Sequence, residues 1–231
     1  MRTGNISDYN NGVGYGIKNG ELYSIVINGI GGGAAGGDTG SSGGGGDTSP
    51  VGATGAGESD DLPSSWATVQ VNAAIGAGLA PSKLQSKYSQ AATRAEFCAL
   101  AVALYETVTE KTITERKSFD DTNDVNVEKA AAINVVAGIG GGLFDPDAKL
   151  TREQAAVMLS RLADAVGKPL KKETATFGDN ATISLWAIEA AGQVQAAGIM
   201  GGVGENTFAP GDPYTREQSI VTIMRLYDVI K

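Results

Sequence analysis

The tetrad Thr-Arg-x-Glu/Gln occurs three times in this chain, and the repetition constrains the fold more than any other feature. The tetrads start at Thr93, Thr151 and Thr215, which are 58 and 64 residues apart. A nearly constant period is typical of proteins built from tandem copies of one small unit. The sequence therefore predicts three copies, which span 62–114, 115–172 and 173–231.

Each tetrad precedes apolar residues that are spaced by three or four positions, as in a long amphipathic helix. A shorter, alanine-rich helical pattern lies upstream of each tetrad, over residues 66–75, 127–136 and 185–197. Each copy is therefore predicted to be a helix-loop-helix unit, and the fold class is all-α.

A glycine-rich loop joins the two helices in the second and third copies. Aligning their tetrads superposes Gly140 on Gly204 and Phe144 on Phe208. Glycine permits positive φ and a close approach to the backbone, so these loops are candidates for ligand contact. The first copy lacks this loop.

The first 61 residues differ from the rest of the chain. Asn19-Gly20 lies between two β-prone runs and predicts a short hairpin in residues 1–30, which we interpret as a remnant of an upstream region. Residues 31–61 are mostly small or polar and predict a flexible linker. Neither a signal peptide nor a membrane span is evident, so we expect a part of a longer exported protein without membrane insertion.

Composition excludes several classes of function. The chain has no histidine and one cysteine, Cys98, which lies in an apolar run typical of a buried position. We therefore predict no catalytic residues, no metal site, no cofactor and no enzymatic activity. A formal net charge of -8 opposes binding to nucleic acid.

The tetrad itself has a local structural role. Its threonine and Glu/Gln match a capping box, in which the two side chains bond backbone amides at the helix start. Capping does not explain the arginine, whose positive charge opposes the helix dipole at this position. Two interpretations remain: an anion site made by the guanidinium and unpaired helix amides, or a structural ion pair.

Two further features complete the pattern. Phe119-Asp120-Asp121 and Phe177-Gly178-Asp179 open the second and third copies, and tryptophans occur in the short helices of the first and third. Together with the tetrads and the glycine loops, these features resemble the S-layer homology domain. The resemblance implies a pseudo-threefold helical bundle with grooves between neighbouring copies. It also implies non-covalent attachment of an extracellular protein to secondary cell-wall polysaccharide, often through a pyruvate ketal.

The resemblance implies a set of ligand-binding residues. In this set the arginines hold a carboxylate, the tryptophans face sugar or pack in the core, and the glycines let the backbone approach the ligand. The set is Arg94, Arg152, Arg216, Trp66, Trp186, Gly140, Gly204, Asp120 and Asp179.

The copies depart from the pattern in two places. The first copy lacks the Phe-led opening and the glycine loop, and the second has Thr122 or its neighbours where tryptophan is expected. Grooves that involve Arg152 and Arg216 are therefore expected to be better preserved than the one that involves Arg94. The alternative function is a structural S-layer or protein-interaction module that self-associates without binding glycan.

Overall fold

The computed structural model describes residues 13–18, 21–26 and 62–231, and the chain divides into two units, Met1–Thr54 and Gly55–Lys231. In the first unit, strands β1 (Val13–Lys18) and β2 (Glu21–Val26) pair antiparallel. The predicted turn at Asn19-Gly20 and the predicted linker over 31–61 lie outside the described residues.

The second unit is built from helices, which confirms the predicted all-α class. All six predicted helices are present, and short helices alternate with long ones along the chain. They are α1 (Thr68–Gly76), α2 (Arg94–Thr109), α3 (Val125–Ala132), α4 (Arg152–Ala165), α5 (Ile188–Ala196) and α6 (Arg216–Ile230).

Capping boxes start the three long helices, as the sequence predicted. The hydroxyl of Thr151 accepts from the amide of Gln154, and the side chain of Gln154 accepts from the amide of Thr151. The same reciprocal pair forms at the starts of α2 and α6. Each tetrad therefore sets the first residue of its helix.

The copies pack in a cyclic order. The three long helices contact one another, and each short helix packs on the long helix of a different copy: α3 on α2, α5 on α4, and α1 on α6. The first and last copies are therefore neighbours in space, although they are farthest apart in sequence.

Three backbone hydrogen bonds join the copies just before the capping boxes. The Ala92 amide donates to the Tyr214 carbonyl at 2.8 Å, the Tyr214 amide to the Leu150 carbonyl at 2.8 Å, and the Leu150 amide to the Ala92 carbonyl at 2.9 Å. Because each of these residues directly precedes a capping threonine, the bonds hold the starts of the three long helices together.

The core contains the apolar faces of the helices and the aromatic residues of the loops. Phe97, Phe144 and Phe208 are completely buried. Cys98 is also buried, as predicted, and burial raises the pKa of its thiol to about 12. A thiol with this pKa is an inert packing group at neutral pH.

Candidate functional site

The amides in the first turn of each long helix already have protein acceptors. In α4, the amides of Arg152 and Glu153 donate to the carbonyls of Asp212 and Pro210 in the third copy, at 3.1 and 3.0 Å. The amide of Gln154 donates to Thr151. The expectation that these helix ends present unpaired amides to an anion is therefore wrong, because a loop of the next copy supplies the acceptors. The equivalent amides of α2 and α6 are bonded in the same way.

Arg152 also contacts the loop of the next copy. It is 4% exposed, its Nε donates to the Phe208 carbonyl at 2.6 Å, and its Nη2 donates to the Gly201 carbonyl at 2.8 Å. Its guanidinium carbon lies 5.3 Å from the centre of the Phe208 ring. Burial lowers the pKa of Arg152, but an arginine remains charged at neutral pH.

Arg94 repeats this arrangement one copy earlier. Its Nε and Nη2 donate to the carbonyls of Phe144 and Ala137, both at 3.1 Å, and its guanidinium carbon lies 4.4 Å from the centre of the Phe144 ring. Each of these two arginines therefore belongs to a site whose loop comes from the following copy.

Arg216 has a different partner. Its Nε donates to one carboxylate oxygen of Glu96 at 3.2 Å, its Nη2 bonds the other oxygen, and its Nη1 donates to the Ser86 carbonyl at 3.2 Å. The positions equivalent to Glu96 are the neutral Gln154 and Gln218. The structural ion pair considered from the sequence thus occurs at this arginine, and the structure groups Arg94 with Arg152 instead of Arg152 with Arg216.

A groove lies beside Arg94, and we call it the Trp186 groove. It is lined by Arg94, the loop 135–139, Gln154, Arg161 and Trp186. The first copy supplies Arg94, the second supplies the loop and α4, and the third supplies the tryptophan. Three copies are therefore needed to form one groove.

An equivalent groove lies beside Arg152, and we call it the Trp66 groove. It is lined by Arg152, the loop 199–203, Gln218, Arg225 and Trp66. Each lining residue of this groove comes from one copy later than the equivalent residue of the Trp186 groove, and the first copy follows the third. The two grooves therefore form independent examples of one arrangement.

Both grooves contain a second arginine that the sequence reasoning missed. Arg161 is exposed, and Arg225 donates to the side chain of Gln70 at 3.2 Å and to the Ile199 carbonyl at 3.3 Å. Among residues 62–231, none of the four groove arginines forms a salt bridge. The sequence did hold a signal, since Arg161 and Arg225 occupy the same position after their tetrads, where the first copy has Ala103.

The two tryptophans lie at the rims of the grooves. Trp66 is 54% exposed and Trp186 is 58% exposed, so the alternative of core packing does not hold for either ring. An indole with an open face can stack on the apolar face of a sugar or contact another planar group. Each groove thus combines positive charge with one accessible aromatic surface.

The remaining predicted residues do not line either groove. Gly140 and Gly204 have φ values of +106° and +55°, which favour glycine in the loop turns. Asp120 lies against Gly142, where a Cβ atom would clash with its carboxylate. Asp179 accepts from the amides of Phe208 and Ala209, so it fixes the loop between α5 and α6.

The Asp179 carboxylate is predicted to contribute to stability in a pH-dependent way. It accepts from the amides of Phe208 and Ala209 at 2.6 and 2.8 Å. Burial raises the pKa of this carboxyl, but these hydrogen bonds outweigh that effect and hold the pKa below its ordinary value. Because the folded pKa is depressed, the contribution is present above about pH 4 and is lost as pH falls further.

We expect Asp179→Asn to lower the free energy of unfolding at pH 7 by about 1 kcal/mol, since one amide donor loses its acceptor. The variant should also lose less stability than the wild type between pH 5 and about pH 2. Urea unfolding across this range measures both effects. The exposed Asp147→Asn is the matched control, and an equal acid slope in the wild type and Asp179→Asn would contradict the assignment.

The sequence profile of the S-layer homology domain matches residues 119–156 and 176–218. The two matches run from the Phe-led opening to the capping tetrad in the second and third copies. The second and third copies therefore each contain an S-layer homology domain match. Such domains are non-catalytic modules that bind cell-wall polysaccharides and associate proteins with the cell surface. No curated protein sequence matches the chain.

Two other kinds of feature are absent from the described residues. None of the helices there combines the length and apolarity that a membrane span requires. The same residues contain no group of three or more cysteine, aspartate or glutamate side chains arranged to hold a metal ion.

Proposed function

We propose that this chain anchors a protein to the cell wall by binding pyruvylated secondary cell-wall polysaccharide in the Trp66 and Trp186 grooves. In this function, residues 62–114, 115–172 and 173–231 act as three S-layer homology repeats of a pseudo-threefold bundle. The observation that carries it is the convergence of two arginines and one exposed tryptophan in each of two equivalent grooves.

The chemistry of the grooves favours an anionic sugar. The chain has a formal net charge of -8, yet each groove brings together two arginines that form no salt bridge within residues 62–231. A pyruvate ketal carries one carboxylate, which a guanidinium binds through charge-assisted hydrogen bonds. The indole ring would contact the sugar that carries the ketal.

The two arginines of each groove are proposed to have different roles in binding the carboxylate. Nε and Nη2 of Arg94 and Arg152 are bonded to loop carbonyls, and Nη1 of each has no acceptor among residues 62–231. Arg161 and Arg225 lie across the groove on the long helices. We propose that the carboxylate binds between the two arginines of a groove, with the buried arginine also fixing the loop.

The third equivalent position has Arg216 but lacks the other features of a groove. Glu96 already neutralises Arg216, Ala103 replaces the second arginine, and Thr122 lies where a tryptophan is expected. We therefore propose two glycan sites for each chain instead of three.

Titration calorimetry with pyruvylated wall-polysaccharide fragments tests this proposal. We expect two sites for each chain, and we expect fragments stripped of pyruvate to bind at least tenfold more weakly, because the carboxylate supplies the contact to arginine. Equal affinity for both kinds of fragment would contradict the assigned chemistry. Self-association of the chain without affinity for either fragment would support the structural alternative instead.

A further inference from the structure

A glutamate from one copy binds a serine of the next copy beside each groove tryptophan. The carboxylate of Glu217 accepts from the amide and the hydroxyl of Ser64, both at 2.9 Å. The carboxylate of Glu153 accepts from the amide and the hydroxyl of Ser184, at 3.0 and 3.1 Å. We call each pair a serine clamp.

Each clamp fixes the turn that carries a tryptophan. The Ser64 carbonyl accepts from the amides of Ala67 and Thr68 at 2.9 and 3.0 Å, and Trp66 lies inside this turn. The Ser184 carbonyl accepts from the amides of Ala187 and Ile188 at 2.8 and 3.1 Å, and Trp186 lies inside that turn. The clamp and the turn together determine where the indole lies.

The burial and hydrogen bonding of Glu217 suit it to hold the turn that carries Trp66. Glu217 is 5% exposed, and both of its carboxylate oxygens bond Ser64. A buried carboxylate is costly unless it is well bonded, so the clamp is the contact that makes this residue tolerable in the interface. The clamp also joins the first copy to the last one.

The interface without a tryptophan also lacks the clamp. The tetrad of the first copy has Ala95 where the other two have Glu153 and Glu217. In the second copy, the segment between the Phe-led opening and the short helix is shorter than in the third, and it has neither the serine nor the tryptophan. Glutamate, serine and tryptophan are thus present together or absent together.

We infer that Glu153 and Glu217 are positioning residues that hold Trp186 and Trp66 in their grooves, an inference that rests on the proposed glycan function for its binding consequence. Neither glutamate lines a groove, so each acts through a serine and the turn that follows it. In this inference, a glutamate as the third residue of the tetrad orders the tryptophan of the neighbouring groove.

Tryptophan fluorescence tests the positioning directly, since the chain has only two tryptophans. Trp186→Phe leaves Trp66 as the sole indole, and Trp66→Phe leaves Trp186. We expect Glu217→Ala to increase the fast anisotropy decay and the acrylamide quenching of Trp66 about twofold, and to leave Trp186 unchanged. Glu217→Gln, which keeps one acceptor oxygen, should restore most of the wild-type behaviour.

The unaffected tryptophan separates positioning from general destabilisation. Equal loosening of both indoles in Glu217→Ala, or no change in Trp66, would overturn the inference. Alanine already occurs at the equivalent Ala95, so the variant is expected to fold. Should it fail to fold, Ser64→Ala removes the hydroxyl contact alone and predicts a smaller increase in Trp66 mobility.

Binding measurements complete the test. With pyruvylated wall fragments, we expect Glu217→Ala to weaken the Trp66 groove about tenfold, a loss of about 1.4 kcal/mol, while the Trp186 groove keeps its affinity. If the wild type binds no fragment and Glu217→Ala still loosens only Trp66, the proposed function fails and the positioning role stands. Full affinity of both grooves despite a loosened Trp66 would overturn the binding consequence.

Discussion

Replacing Phe208 with alanine is expected to lower the free energy of unfolding by about 3–5 kcal/mol. The Phe208 ring is completely buried and stacks on Phe177, with the ring centres 4.9 Å apart. Its backbone is also an anchor for the loop, since the carbonyl accepts from Arg152 and the amide donates to Asp179. The variant therefore loses core contacts at the point where two copies meet, and denaturant unfolding measures the loss.

Val229→Ala is the control for this prediction. Val229 lies on α6 in the same copy and is 49% exposed, so its truncation should change the free energy of unfolding by no more than about 0.5 kcal/mol. We also expect Phe208→Ala to weaken the Trp66 groove more than the Trp186 groove, since only the former contains the affected loop. A loss of stability below about 1 kcal/mol would show that the loop anchors elsewhere.

The features predicted correctly from the sequence are those that depend on near neighbours. A capping box needs only residues three positions apart, and Thr151 with Gln154 forms one as predicted. The alternation of short and long helices follows from apolar spacing within each segment. The positive φ of Gly140 likewise belongs to a single turn.

The partners of the arginines could not be predicted, because they lie in another copy. Arg94 binds carbonyls 43 and 50 residues away, and Arg216 binds a carboxylate 120 residues away. In the sequence each tetrad follows the loop of its own copy, whereas the cyclic packing brings each arginine to the loop of the next copy. The grooves are therefore products of the tertiary arrangement.

The same limit explains why the second arginines were missed. Arg161 and Arg225 lie on helical faces where a charged residue usually means a solvated surface. Only the approach of a tryptophan from a third copy turns that surface into the wall of a groove. Comparison of equivalent positions in the three copies would have identified the pair, since the first copy has Ala103.

The double variant Arg161→Ala/Arg225→Ala is expected to abolish retention of the chain on isolated cell-wall sacculi. A hydrogen bond to a charged group contributes about 1.5–3 kcal/mol, so each groove should lose roughly tenfold to 100-fold in affinity. In the proposed function both grooves can bind the same polymer, so weakening both should also remove the gain from simultaneous binding. Co-sedimentation at low and high salt measures the effect, and wild-type retention should fall as salt rises.

These arginines are better targets than Arg94 and Arg152, whose truncation would also remove hydrogen bonds between copies. Arg161 donates no hydrogen bond within residues 62–231, and thermal unfolding checks that loss of the Arg225 contacts leaves the fold intact. Lys149→Ala/Lys168→Ala is the control, since it removes the same charge from exposed positions outside both grooves. Equal loss of retention in both double variants would mean that general charge explains binding, which would contradict the assigned sites. Loss in the arginine double variant alone would support the grooves as the sites. In that case Arg161→Ala and Arg225→Ala, made singly, should each retain partial binding through the groove that is left intact.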